Sequence, residues 1–520
     1  LNKKLLSLLL FAFVLILTAC SSDESSNGEA GGSTTSTPEN QNRDLTIAIG
    51  SDMLGFDIHD HNNTSTESVH QHMFDYLFKR DSNNELQPML AESYEIINDT
   101  TVKIALKQGV KFHNGDEFTA EDVKFTLERV AQTSSLKENA NYKQIKEVQV
   151  VDTYTVNIIT VAPEPSIIHR LSRLGSGMLP KKYIEENGWD HFLANPIGTG
   201  PYKFVEWVRD NKIVFEKFDD YYQGAVDEWD SVTFRIIPED STRVSELLTG
   251  GVDIATNVPP ADWDRVNGNK GTSLKQEVSN RSIFLMLRTT DGYPTSDVRV
   301  RQAIDYAIDD RTLTDIALKG GGIPVLTTVG PGNFGHEPSL YDTHNYDLEK
   351  AKQLLANAGY PDGFEMTLQS PKGRYLMDAE VSELIVGMLS QVGIKVKLEF
   401  LEWSNFVEMR TANKNKDAYM LGLGNSMFDG AYAVDWYNAK RNVDHTDYSN
   451  SKIEELLAQS KVNMDPTTRA KQIQEIQKIA AEDLPFIYLY QEKINVGVND
   501  RIDFTPTSDE MLYAPNMKLK

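Results

Sequence analysis

The stretch Asp378–Phe400, DAEVSELIVGMLSQVGIKVKLEF, holds a helix followed by a strand, and its reading sets the class of the whole chain. Residues Asp378 to Val392 read as a helix. From Ile394 the period changes: Ile394, Val396, Leu398 and Phe400 alternate with Lys395, Lys397 and Glu399, the period of two of a half-buried strand. Upstream, Asp347 caps another helix whose apolar face is Leu348, Ala351, Leu355 and Ala358, and Gly359 and Pro361 stop it. Downstream, Asp465-Pro466 opens a helix carrying Ile473 and Ile476, and Leu484 to Tyr490 is an apolar strand.

The same interleaving extends towards the N-terminus. Asp44 to Gly50 alternates as a strand and ends at Gly50-Ser51-Asp52, and a helix is expected from Ser65 to Phe78. Val102, Ile104 and Leu106 form a half-buried strand. Thr119-Ala-Glu-Asp122 has the form of a capping box, and Val123, Leu127 and Val130 share a face of the helix it opens. Val148 to Val161 alternates again as a strand. Two Gly and two Pro from Pro196 to Tyr202 mark a bend, after which a strand through Trp207 pairs with Ile213 to Phe218. A helix from Ser241 to Thr249, a buried strand at Ile283 to Leu287 and a helix from Val298 to Ile308 complete the series. Strands and helices alternate throughout, so the class is α/β, and no internal repeat is visible.

The chain has 520 residues, a formal net charge of −24 and a single cysteine. The acidic balance argues against a nucleic-acid partner and against a polybasic membrane patch. With one cysteine there is no disulfide framework, so burial must hold the fold, and the length is ample for that.

The first twenty residues, LNKKLLSLLLFAFVLILTAC, run from two lysines through an apolar stretch to small residues and Cys20. That is the order of a secretory signal, and the apolar run is short for a membrane span. Leu17-Thr-Ala-Cys20 resembles the bacterial lipobox, so residues 1–19 are expected to be a signal peptide and Cys20 the lipidated first residue of the mature chain. A covalent lipid also accounts for a lone thiol in an exported protein. Ser21 to Arg43 has no large apolar residue and reads as a flexible tether, with an r.m.s. span of roughly 25–30 Å. The expected location is the outer face of the cytoplasmic membrane, on a Gram-positive surface or the periplasmic side of a diderm envelope.

Motifs for catalysis are missing. There is no phosphate-binding Gly-x-x-x-x-Gly-Lys loop, no Gly-x-Ser-x-Gly elbow and no His-Glu-x-x-His helix, so neither an enzyme nor a cofactor is expected. His59-Asp-His61 and His70-Gln-His72 carry ligand types suited to zinc, nickel or copper, which keeps a metal or metal-chelate binder as an alternative through His59 and His61.

Six stretches together resemble one family. They are Leu90-Ala-Glu-Ser-Tyr94, Lys107-Gln-Gly-Val-Lys-Phe-His-Asn-Gly-Asp116, Thr119-Ala-Glu-Asp-Val-Lys-Phe125, Gly198-Thr-Gly-Pro-Tyr-Lys-Phe204, Val298-Arg-Val-Arg-Gln-Ala-Ile304 and Tyr346 to Phe364. In this order they resemble the family 5 solute-binding proteins of ABC importers, the binders of oligopeptides, dipeptides, nickel and glutathione. The resemblance implies a two-lobed periplasmic-binding-protein-like fold with an inserted subdomain and a ligand cleft between the lobes. The first lobe would hold 44–85, 198–290 and 485–520, with 86–197 inserted, and the second 291–484. A monomer would capture short peptides or glutathione-like compounds and pass them to an ABC permease and its ATPase. A surface receptor or adhesin on the same fold is the other reading, since fold alone does not settle function.

The resemblance also points to residues. Peptide binders of the family anchor the ligand amine with an Asp in a loop after a second-lobe strand. The matching stretch here is Met420 to Gly430, where Ser426 stands at the anchor position beside Asn425, a further candidate, and Asp429, three residues later, is the candidate substitute for the missing Asp. A ligand carboxylate calls for Arg374, beside Tyr375 and just before a helix N-terminus, since a guanidinium and a helix start both favour anions. Trp403 and Trp436 are expected as cleft walls, and Ser51 and Asp52 as cleft-facing residues after the first strand.

Overall fold

The computed structural model describes residues 42–81, 85–173 and 175–520. The signal peptide, Cys20 and nearly all of the tether lie outside them.

Two long strands organise the body. Thr272–Leu287 and Phe486–Asn499 pair antiparallel along almost their whole length. Only their apolar halves stand out in the sequence. The other halves differ: Thr272 to Val278 is mostly polar and largely part-exposed, whereas Ile494, Val496 and Val498 alternate with Asn495, Gly497 and Asn499 and Asn495 to Val498 is buried. Between Val278 and Ser282 the register shifts, a bulge that lets the paired strands bend where they pass from one half of the molecule to the other.

On one side of this pair lie Ala418–Gly424, Glu365–Pro371 and Lys395–Leu401. On the other lie Ile254–Ala255, Asp44–Ile49, Ser231–Ile236, Lys212–Lys217 and Tyr202–Val208. With Gly322–Pro324 they make an eleven-stranded sheet among the described residues. The strand Lys395–Leu401 runs parallel to Glu365–Pro371, and the helix Asp378–Ser390 crosses between them, as the opening stretch predicts. A separate four-stranded sheet joins Ala91–Asn98, Thr101–Leu106, Thr155–Thr160 and Ile145–Asp152, with the helix Ala120–Gln132 packed against it. The capping box forms: the Thr119 amide donates to Asp122 at 2.9 Å.

Burial follows this division. One core gathers Ile283 to Leu287 with the helices and strands from Val300 to Tyr490, and Phe284 stacks on Phe486 with centroids 4.5 Å apart. A second gathers Leu45, Ile47, Phe215, Trp229 and Val496, and a third lies under the four-stranded sheet. Each fully buried Ile, Leu or Phe contributes about 1.5–3 kcal/mol, so these cores replace the absent disulfides. The result is a mixed α/β fold of two lobes, as expected.

Two local expectations are corrected. The helix expected to run from Ser65 to Phe78 spans only Thr64–His70. Its continuation is captured by the 198–202 bend: the Gly200 amide donates to the Met73 carbonyl at 2.7 Å and Tyr202 to that of His72 at 2.9 Å. A Cβ on Gly198 would lie 2.0 Å from the Met73 oxygen, which is why glycine stands there. The single strand expected over Val148 to Val161 is a hairpin, Ile145–Asp152 and Thr155–Thr160, turned by Asp152, whose carboxylate accepts the Tyr154 amide at 2.9 Å.

Candidate ligand-binding cleft

A cavity of about 790 Å³ lies beside the bulge of the two long strands, lined from both halves of the molecule by Ser51, Arg281, Arg374, Trp403, Glu492 and Glu510 among others. Arg374 belongs to the loop between the strand Glu365–Pro371 and the helix Asp378–Ser390. The Asp378 carboxylate fixes that loop by accepting the amides of Gly373, Arg374 and Tyr375 at 2.9, 2.8 and 3.0 Å. The Arg374 guanidinium lies 5.2 Å from the Tyr375 ring centre and 5.1 Å from that of Trp403. It makes no hydrogen bond or ion pair with the described residues.

Carboxylates face it from the other wall. Arg281, in the bulge, donates from Nε and Nη2 to the two oxygens of Glu510 at 2.9 and 2.7 Å, a bidentate fork. Burial alone would raise the Glu510 carboxyl, but the charge and hydrogen bonds of Arg281 hold it below the ordinary value. Glu492, 3.9 Å from Arg281, goes the other way: burial pushes it up to about 7 against the pull of that arginine. The cavity therefore offers an unpaired cation on one wall and acids on the other.

A second chamber of about 580 Å³ adjoins the first. The strip from Asp509 to Leu512 divides them: Glu510 and Leu512 line the first chamber, Asp509 and Met511 the second. Leu512 is tied to the helix Thr64–His70 by its amide, which donates to Ser68 Oγ at 2.8 Å. In this chamber Arg173 donates from Nη1 to Glu138 at 2.6 Å, a fully buried pair, and from Nε to Ser426 Oγ at 2.9 Å. Arg80 Nη2 donates to the Met427 carbonyl at 2.6 Å. The 426–428 loop of one half is thus gripped by arginines of the other.

Residues 85–445 match the family described as bacterial extracellular solute-binding proteins, family 5. The chain belongs to that family. It is 30% identical over 463 residues to the glutathione-binding protein GsiB of Salmonella paratyphi A, covering 87% of this chain and 90% of the relative. Its fold matches AgaA of A. tumefaciens R10, solved with agropinic acid, with a TM-score of 0.81 at 27% identity, covering 92% and 99% of the two chains. It also matches the oligopeptide-binding protein AppA of Bacillus subtilis, solved with a nonapeptide, with a TM-score of 0.80 at 24% identity over 92% and 99%. As a family 5 member the chain is the substrate-binding component of an ABC importer and not an enzyme. The family is extracellular, and among the described residues no helix is long and apolar enough to cross a membrane.

Within this family 5 cleft the expected site residues are dispersed. Ser51, Arg374 and Trp403 line the first chamber and Ser426 lines the second. Tyr375 is buried in the core and flanks the Arg374 guanidinium.

Others do not face ligand. Asp52 turns away from the cleft and accepts Trp207 Nε1 at 3.0 Å and the Asp210 amide at 2.8 Å. Asp429 cannot anchor an amine: it is fully buried, lies 2.9 Å from Arg469 in an ion pair and caps the helix Gly430–Val434 through the Ala431 amide. Asn425 is buried and spends its amides on Asn280 and the Asp429 carbonyl. Trp436 is a core residue with Arg441 stacked 3.9 Å over its ring.

The histidines are also committed elsewhere. His59 Nδ1 lies 2.6 Å from Arg129, and His61 Nε2 lies 3.1 Å from His70 Nδ1. Burial drives His59 down to about 3 and His61 well below its ordinary value. No group of three or more metal-ligating His, Cys, Asp or Glu occurs among the described residues, and His59 and His61 are each taken up by a neighbouring side chain.

Sequence reasoning missed Arg281, Glu492, Glu510, Arg80 and Arg173. Arg281 left a trace, a charge two residues before the apolar run Ile283 to Leu287. The others sit in ordinary polar stretches and become cleft residues only through tertiary contacts.

Proposed function

We propose that this chain captures short peptides or glutathione-like compounds between its lobes and delivers them to the permease of an ABC importer, as a monomer held to the outer membrane face by lipid on Cys20. On this reading 44–85, 198–290 and 485–520 form the first lobe, 86–197 its insertion and 291–484 the second. The observation that carries it is Arg374, an unpaired guanidinium on a fixed loop, stacked beside two aromatic rings and facing Glu492 and Glu510. A zwitterion leaving water needs partners of both signs, and the two walls of this cavity carry one sign each. The likeness to a glutathione-binding protein over most of both chains supports the ligand class.

A thermal-shift screen of di- to pentapeptides, glutathione and opines tests it, since a ligand that binds only the folded state raises the melting temperature. Stabilisation by at least one of these classes is expected, and none from any of them would refute the reading. Lipid attachment is tested by Cys20→Ser, which should release the protein from the cell surface.

A further inference from the structure

We propose that the second chamber is an anion site: it receives a carboxylate of the solute and is not built to hold an amine. This rests on the importer reading and narrows it to solutes with an acidic group to place there.

The chamber's cations carry the argument. Lys79 is the middle residue of the strand Phe78–Arg80 at the chamber wall, half-buried; it acts on the buried Asp75 carboxyl only through its charge and makes no hydrogen bond or ion pair with the described residues. Arg80 follows it, with its guanidinium 4.6 Å over the Phe428 ring. Arg173 lies across the chamber, oriented by Glu138 and Ser426.

The acids of the same wall are already engaged. Glu67 is buried and accepts the Tyr76 hydroxyl at 2.9 Å, and burial pushes it up to about 7. Asp509 accepts the Met511 amide at 3.1 Å and the Thr507 hydroxyl, and burial raises it too. Asp81 accepts the Glu85 amide at 3.0 Å and Gln87 Nε2 at 2.9 Å. The remaining acid, Asp503, stands exposed at the mouth. An ammonium entering here would meet lysine and arginine and no deep carboxylate ready to receive it. A carboxylate would meet an unspent ammonium at close quarters in a partly dry space, where charge-assisted bonds are strongest. Phe74, Phe428 and Phe504 leave room for an apolar stem behind it.

The test is a cycle of protein and probe. Full-length wild type and Lys79→Gln are titrated by calorimetry with two diacids and their esters, glutathione with its diethyl ester and alanyl-glutamate with its dimethyl ester. For whichever free acid binds, Lys79→Gln should weaken binding about tenfold, and it should change the affinity of the matching ester less than about twofold. Equal losses for acid and ester, or no loss for either, would overturn the anion assignment and leave the importer reading standing. A wild type that binds neither free acid would also overturn the anion assignment, and one that no peptide or opine stabilises would overturn the importer reading with it.

Discussion

The two chambers of the cleft use arginine in opposite ways. In the first, Arg374 is held by its backbone, through the Asp378 carboxylate, and its guanidinium stays unpaired against aromatic rings. In the second, Arg173 is held by its own guanidinium, buried between Glu138 and Ser426. The first arrangement keeps a charge available to a guest. The second spends most of its charge in joining one half of the molecule to the other. Position in a cleft therefore does not make an arginine a ligand group; what its nitrogens already hold decides that.

The largest test of this contrast is Arg173→Ala. Removing one partner of a buried pair leaves Glu138 uncompensated, so unfolding should become easier by about 3–5 kcal/mol, measured by denaturant titration. Arg374→Ala should instead leave stability within about 0.5 kcal/mol of wild type. It should weaken a carboxylate-bearing ligand by about 10- to 100-fold, the range of a hydrogen bond to a charged group. A comparable stability loss at both positions would erase the distinction.

Smaller effects sharpen it. Ser426→Ala removes one acceptor from Arg173 and should cost about 1 kcal/mol of stability. Glu492 gives a pH signature. Its folded value of about 7 lies above its ordinary 4.5, so the folded state keeps this proton longer. The stability that proton contributes is complete below about pH 4.5 and is lost as pH rises through 7. Glu492→Gln should therefore flatten the fall in melting temperature between pH 5 and 8 by about 1–2 °C. No difference between the two profiles would place Glu492 in solvent rather than under Arg281.

Much of the fold was legible because periodicity is a local property. The strand Lys395–Leu401 and the helices Leu348–Asn357 and Pro466–Asp483 start or stop within a residue or two of where their caps and alternation put them. The failures lie where distant backbone intervened. The helix after Asn63 stops because the 198–202 bend takes the carbonyls of His72 and Met73. The less apolar halves of the two long strands escape a reading by periodicity, because Thr272 to Val278 is mostly polar and Ile494, Val496 and Val498 make only a short alternation.

The site was legible in part. Arg374, Trp403 and Ser51 follow elements whose ends are readable, so their place at the cleft could be inferred. Asp429 could not be judged, because its fate depends on Arg469, forty residues later in the chain and 2.9 Å away in space.

Residue order alone thus determined the α/β class, the exported character and the family, since these rest on short-range periodicity and on contiguous motifs. The pairing of charges was decided only by the folded chain. Whether a carboxylate or guanidinium is free for a guest depends on partners hundreds of residues apart, as Arg281 on Glu510 and Arg173 on Ser426 show. Electrostatic partnership acts through distance in space, and sequence separation carries almost no information about it.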